Sequence, residues 1–313
     1  MSRISIGAAI GSGFGLVGRR PVSVLIWGVP TVALGAAAIW LLAPLYAAII
    51  SAAISQAQSG ATGPPPGIGA LSQQAVMTSS LVWLLDIVQL FAVSVVYCAV
   101  WRAILHPDKP GFAYLRVGLP ELMLMVFTFA FVIVTIVVMV ILMIPIGIIV
   151  GIAANAGGNG SAVGMAILIP ILFLAMLVAL VMVGLRFVFV GPMMVDDGKF
   201  HFMESWSMTK GHVGALFLIG LGLVAVAIGV EIVIVALMLG LGAAGFFGVV
   251  GGVGGLPAFL KLPPTEMLSR LAPLLGAYLI VLIPIQGCLL AIFGAPWARA
   301  YRDLRPDASE TFA

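Results

Sequence analysis

Two carboxylic acids inside long apolar stretches are the residues best placed to do chemistry. Asp86 and Glu231 each lie about 27 Å along a helix from the predicted inner membrane boundary, so they share a depth. A charge at the bilayer centre costs on the order of 3 kcal/mol, so such acids face partners or water, or stay protonated. Gln89 lies one turn from Asp86, and Gln286 occupies another apolar stretch. These four residues form a candidate intramembrane polar site for a cation, a proton or a lipid headgroup. The alternative is that the acids are protonated and hydrogen-bonded between helices, or that Asp86 lies near the outer interface.

A second group of titratable residues falls in the gap between two later apolar stretches. Asp196, Asp197 and Glu204 share this gap with His201 and His212. Metal binding or general-base catalysis needs such side chains to converge. The sequence favours a simpler interpretation, a solvated loop with lipid-headgroup contacts. No metal, no other cofactor and no enzymatic activity are therefore predicted.

The elements that must position these residues are long apolar helices. The chain is 63% hydrophobic and 8% charged, whereas soluble domains carry about 25% charged residues. A bilayer core of roughly 30 Å needs about 20 apolar residues per span. An all-α, polytopic integral membrane protein follows, with a short segment 1–20, a six-span membrane domain 21–297 and a short tail 298–313. The predicted spans are 21–50, 76–105, 120–154, 162–195, 213–245 and 271–297.

The distribution of positive charge predicts the orientation. All but Lys261 and Arg270 of the 14 Lys and Arg residues fall in alternate gaps or at the two ends of the chain. By the positive-inside rule, both termini are cytoplasmic. The first apolar stretch is too long for a cleaved signal peptide, so it is predicted to remain as a span. The +3 formal charge is explained by topology, and no nucleic-acid partner is expected.

Three short segments on the predicted cytoplasmic side place apolar residues at helical spacing. The segments 4–18, 112–119 and 200–212 each precede an odd-numbered span. We predict short amphipathic helices at the inner interface, which would make a threefold repeat of interfacial helix and two spans. Ordinary linkers between spans are the alternative. The residues predicted to contact lipid headgroups are Arg19, Arg20, Arg116, Lys210 and Trp206.

Small and aromatic residues near the first span add two expectations. Gly7, Gly11 and Gly15 form a ridge at i, i+4 spacing, which favours close docking on a span or on a second copy of the chain. Trp27 and Trp101 lie near the predicted inner boundary, where aromatic residues often mark the interface.

Two short stretches carry a resemblance to a known group of proteins. The first comprises FVGPMMVDDG at 189–198 and SWSMTKG at 205–211, and the second is ARAYRDL at 298–304. Together they resemble a loose superfamily of bacterial six-span membrane proteins. That superfamily includes the membrane domain attached to some glycerophosphoryl diester phosphodiesterases and related stand-alone families of unknown function. The resemblance implies a six-helix domain in the bacterial cytoplasmic (inner) membrane and carries over no catalytic residues.

Two classes of function stay open on the sequence. The favoured one is a non-enzymatic membrane protein that binds or organises membrane lipids, or binds a partner membrane protein or a second copy of itself. The alternative is a secondary transporter or channel that uses Asp86 and Glu231. A continuous polar path to both faces would favour transport, and a lateral opening at the inner leaflet would favour lipid binding.

Overall fold

The computed structural model of the protein describes residues 4–59, 68–109, 111–155, 159–259 and 261–305. All regular secondary structure in those ranges is helical. The helices are α1 Ile6–Arg19, α2 Pro21–Ser59, α3 Ile68–Leu105, α4 Leu119–Asn155, α5 Asn159–Arg186, α6 Val190–Asp197, α7 Phe202–Met208, α8 Val213–Gly252, α9 Leu256–Phe259 and α10 Pro264–Leu304.

Within the described ranges, six apolar helical segments are long enough to cross a membrane, which confirms the predicted class and number of spans. Helices dominate because lipid offers the backbone no hydrogen-bond partner, so each span must satisfy its own N–H and C=O groups. The fourth segment includes both α5 and α6. The segments are Pro21–Tyr46, Thr78–Leu105, Leu119–Pro145, Ile169–Asp197, Val213–Gly252 and Ser269–Leu304.

Helix α10 organises the bundle, since it packs against α1, α2, α3, α6 and α8. It also continues to Leu304, so the first part of the predicted tail 298–313 is helical. The reason is packing, because Ala298, Ala300 and Tyr301 are all buried.

The tightly packed part of the molecule lies at one end of the bundle. We call this the basic end, because Arg19, Arg102, Arg186 and Arg302 lie in the last turns of their helices there. Two adjoining clusters of buried side chains fill this end, one centred on α2, α3 and α10 and one on α1, α8 and α10. Towards the other end, large apolar side chains are exposed, including Trp40 at 82%. Lipid tails are as apolar as these side chains, so a bilayer can cover them.

The predicted short helix at 112–119 is wrong. Residues 111–114 form a turn in which Ala113 and Tyr114 have φ values of 51° and 60°. This left-handed geometry cannot continue a right-handed helix. Buried contacts hold it in place, since the Tyr114 hydroxyl donates to Pro107 O at 3.0 Å and Trp27 Nε1 donates to Ala113 O at 2.8 Å. The predicted threefold repeat therefore keeps a short helix in only two of its three positions, α1 and α7.

Helix α1 docks through a face that the glycine ridge did not predict. Its buried residues are Ala9, Gly13 and Leu16. A Cβ at Gly13 would lie 2.6 Å from Ile292 Cα of α10, whereas nothing lies within 4 Å of a Cβ placed at Gly7 or Gly11. Gly7 and Gly11 thus face open space, and a Cβ at Gly15 would meet only the Arg19 side chain of the same helix. Gly13 is the glycine that allows the close contact with α10.

The two tryptophans near the predicted boundary are buried in protein and do not face lipid. Trp27 is fully buried, and Trp101 is 8% exposed. The Trp101 Nε1 group donates to Gly294 O of α10 at 3.1 Å. A buried indole N–H needs such a partner, so these residues join helices instead of forming an aromatic belt.

Candidate functional site

An apolar groove lies beside α4 at the basic end. Its volume is about 660 Å³, and it is bordered by α4, the last turns of α5 and the segment that leads into α7. The aromatic residues in its wall are Phe127, Phe131, Phe187, Phe200 and Phe202. Val126, Val183 and Phe200, which also line it, are 55%, 43% and 49% exposed, so the groove opens sideways onto the surface of the bundle.

Ring contacts make the wall of this groove a connected unit. Phe187 and Phe202 stack with their centroids 4.4 Å apart, and Phe127 meets Phe202 edge to face at 6.4 Å. Phe131 contacts Phe187 at 6.1 Å. Each aromatic pair contributes about 0.5–1.5 kcal/mol beyond area burial. Together these pairs fasten α7 onto α4 and α5 and fix the shape of the groove.

A cation lies one aromatic ring away from the groove. The Arg186 guanidinium is 5.2 Å from the centre of the Trp206 ring, and Trp206 contacts Phe187 of the groove at 5.4 Å. This is cation–π geometry. Arg186 Nη1 is buried and has no hydrogen-bond partner among the described residues. Arg186 and Trp206 do not line the groove themselves, so this positive charge lies behind its aromatic wall.

Asp196 joins the two stretches that carry the sequence resemblance. Its carboxylate is 6% exposed and accepts a 3.0 Å hydrogen bond from the Tyr301 hydroxyl. Arg305 Nη1 lies 2.9 Å from the same carboxylate, and His106 Nε2 lies 3.5 Å from it. Gly198 follows α6 in a left-handed conformation, with φ of 74°, and its N–H bonds Met194 O. That turn ends α6 directly after the two aspartates.

His201 lies between two of its neighbouring acids, although the sequence favoured a solvated loop here. His201 Nε2 contacts the Asp197 carboxylate, and Nδ1 lies 2.7 Å from Glu204 Oε2. Partial burial acts to lower the pKa of His201, but the hydrogen bonds to both acids outweigh it and raise the pKa above its ordinary value of 6.5. His212 lines the same open cavity of about 550 Å³. Across the described ranges, no three His, Cys, Asp or Glu side chains are placed to hold a metal ion.

A buried ion pair was missed by the sequence reasoning. Arg102 at the end of α3 binds Glu121 in the first turn of α4, and Glu121 is fully buried. Arg102 Nη1 also lies 3.4 Å from Tyr114 O in the turn between them. An arginine that ends one span and a glutamate that begins the next were the only signal for this pair.

The five residues predicted to contact lipid headgroups lie at separate positions at the basic end. Arg19 and Arg20 line one small cleft, and Arg116 lines another with Arg102 and His106. Lys210 is exposed, and Trp206 is 38% exposed where it stacks on Arg186.

The four residues of the intramembrane polar site do not form a cluster. Asp86 on α3 and Glu231 on α8 are both exposed, while Gln89 and Gln286 are half-buried. No hydrogen bond or ion pair joins these side chains within the described part of the chain, and Gln89 Oε1 is buried without a partner there. α3 packs on α2, α4, α6 and α10, whereas α8 packs on α1, α5, α9 and α10.

In the part of the chain that the structure describes, the fold is all-helical and has six candidate spans, which defines the class as an integral membrane protein. No protein-family model, no curated protein and no solved structure matches the chain.

Proposed function

We propose that this chain is a non-enzymatic protein of the bacterial inner membrane that binds the acyl chain of a membrane lipid in the aromatic groove. The observation that carries the proposal is the groove itself, about 660 Å³, apolar and open to the side. Its volume lies within the range of about 300–1,000 Å³ that is usual for ligand sites. With both termini cytoplasmic, the groove opens into the inner leaflet.

Selectivity has to come from packing and charge, because the hydrophobic effect contributes little inside a bilayer. A lipid chain gains nothing by exchanging one apolar surface for another, but it gains dispersion contacts against preformed rings. The stack of Phe187 on Phe202 supplies such a surface. Arg186 lies behind Trp206 and Phe187, so its charge acts through space and favours a lipid with an anionic headgroup.

Transport has less support than lipid binding. A transporter would use the two acids Asp86 and Glu231. Both are exposed, and the helices that carry them, α3 and α8, are not among each other's main packing partners. A second copy of the chain, or a partner membrane protein, would cover these exposed acids if it packed against α3 or α8. Such assembly would be a secondary role of the protein, beside lipid binding.

Native mass spectrometry of protein released from mild detergent tests the proposal. Ala130 lines the groove and is exposed, so Ala130→Trp places an indole in the groove without disturbing a packed core. Val132, which does not line the groove, lies about 200° around α4 from Ala130, so Val132→Trp is the matched control. We expect phospholipid to be retained by the wild type and by Val132→Trp and to be lost from Ala130→Trp.

Two results would contradict the proposal. One is equal retention in both tryptophan variants, and the other is no retained lipid in the wild type. Asp86→Asn and Glu231→Gln form a further arm, and we expect them to retain lipid as the wild type does. Loss of lipid in either one would move support to the intramembrane acids.

A further inference from the structure

Four arginines from the two ends of the described chain converge on one cleft. The cleft has a volume of about 200 Å³ and lies where the junction of α1 and α2 meets the ends of α3 and α10. Ser12, Leu16 and Tyr114 are among its other lining residues. We call it the four-arginine cleft, and its arginines are Arg19, Arg20, Arg299 and Arg302.

The contacts of these arginines leave most of their charge uncompensated. Arg19 Nε donates to Gly15 O at 3.0 Å, and Arg302 Nη1 donates to Ile104 O at 3.2 Å, so both partners are neutral carbonyls. Arg299 Nε lies 3.1 Å from Asp303 Oδ1. Arg20 has no hydrogen-bond or ion-pair partner within the described residues. Among the described residues, one carboxylate, that of Asp303, contacts any of the four guanidinium groups.

Helix ends explain only part of this arrangement. A cation in the last turn of a helix is favoured by the helix dipole, which accounts for Arg19 on α1 and Arg302 on α10. The same dipole reaches Arg20, the C-cap residue of α1, but it does not account for Arg299, which precedes the last turn of α10, or for the meeting of both pairs in one cleft. Like charges repel, and they are held together at lower cost when an anion lies between them.

We propose that the four-arginine cleft binds a phosphate group, carried either by a phospholipid headgroup or by a soluble phosphate. Guanidinium groups match phosphate well, because their planar N–H donors bind two oxygens at once. The site is separate from the aromatic groove, whose lining is on α4 and α5 and in the segment leading into α7. A phosphate here would also link the α1–α2 junction to the end of α10. Binding should therefore stabilise the folded protein.

Two binding measurements on the full chain in an uncharged detergent separate the two sources of phosphate. Native mass spectrometry with added phosphatidylglycerol, and with phosphatidylcholine as the zwitterionic comparison, measures headgroup binding. Thermal unfolding in inorganic phosphate, and in sodium chloride of the same ionic strength, measures binding of the free anion. Preferential binding of phosphatidylglycerol identifies the headgroup as the source, and stabilisation by phosphate alone identifies the soluble anion.

The variants are chosen to leave the fold intact. Arg20 is exposed and unpartnered within the described residues, so Arg20→Gln removes donors without breaking a contact. We expect it to weaken binding by about tenfold. The double variant Arg19→Gln, Arg20→Gln, which loses only the local bond from Arg19 Nε to Gly15 O, should weaken it further. Lys109→Gln is the control, since Lys109 is also exposed at the basic end but lines a different cleft. Absence of both kinds of binding in the wild type, or equal weakening by Lys109→Gln, would overturn the proposal.

Discussion

The backbones of Gly28 and Gly287 touch where α2 crosses α10. A Cβ at Gly28 would lie 2.0 Å from Ile283 O, and a Cβ at Gly287 would lie 2.0 Å from Val24 O. No side chain fits at either position without moving a helix. Helix α10 also contacts α1, α3, α6 and α8. The distance between α2 and α10 at this crossing therefore affects how the other helices pack at the basic end.

We expect Gly287→Ala to lower the free energy of unfolding by about 1–3 kcal/mol or more, because overpacking a tight contact forces a backbone shift. Gly35→Ala is the control on α2, where nothing lies within 4 Å of the added Cβ. It should be neutral or stabilising, because alanine favours a helix by about 1 kcal/mol over glycine. Unfolding in detergent, followed by tryptophan fluorescence, measures both. Equal destabilisation by the two substitutions would show that the crossing is not a tight contact.

The sequence predicts the six spans because length, apolarity and charge placement are each sufficient local signals. The crossing of Gly28 and Gly287 was not predictable, since the chain has 38 glycines and nothing local marks these two. The same holds for the groove, which brings together phenylalanines from α4 and from two later segments. In the sequence, each of these phenylalanines looks like any other apolar residue. The spacing of Phe127 and Phe131, one helical turn apart, was the only local signal.

The turn at 111–114 shows why the prediction of a helix failed there. The apolar spacing of residues 112–119 is compatible with a helix. However, the buried side chain of Tyr114 and the indole of Trp27 stabilise a left-handed turn instead. Tertiary contacts with α2 decided the conformation, and these contacts have no local signature.

Removing the Tyr301 hydroxyl should loosen the end of α10. Tyr301→Phe deletes the 3.0 Å hydrogen bond to Asp196, and hydrogen bonds to charged groups contribute about 1.5–3 kcal/mol. Tyr278→Phe is the control on the same helix, because Tyr278 makes no side-chain hydrogen bond within the described residues. Denaturant unfolding should separate the two variants. The role assigned to Asp196 would be contradicted if Tyr301→Phe were as stable as the wild type.

The buried pair of Arg102 and Glu121 should depend on both partners. Breaking a buried ion pair by removing one partner typically costs about 3–5 kcal/mol, because the other charge is left uncompensated. We expect Glu121→Leu to destabilise the protein by this amount and the added Arg102→Leu to recover part of the loss. A double-mutant cycle measured by unfolding provides the comparison. If the two losses were simply additive, the pair would not be coupled.

His201 should make stability depend on pH. Its pKa is raised above 6.5 in the folded protein, so the stabilisation is fully present below the unfolded value of 6.5 and is lost as pH rises through the folded value. We expect the wild type to lose stability relative to His201→Gln as pH rises above 6.5 and through the raised pKa of His201. His212→Gln is the control within the same cavity and should keep the pH dependence. A pH dependence that is unchanged in His201→Gln would rule out this origin.

Photochemical cross-linking from the groove tests lipid binding most directly. A benzophenone side chain in place of Ala130 samples the groove, and one in place of Val132 samples the outer surface of the same helix. After irradiation in native membranes, mass spectrometry identifies the lipids attached at each position. We expect a restricted set of lipids at position 130 and the composition of the bulk membrane at position 132. The same lipid composition at both positions would contradict lipid binding in the groove.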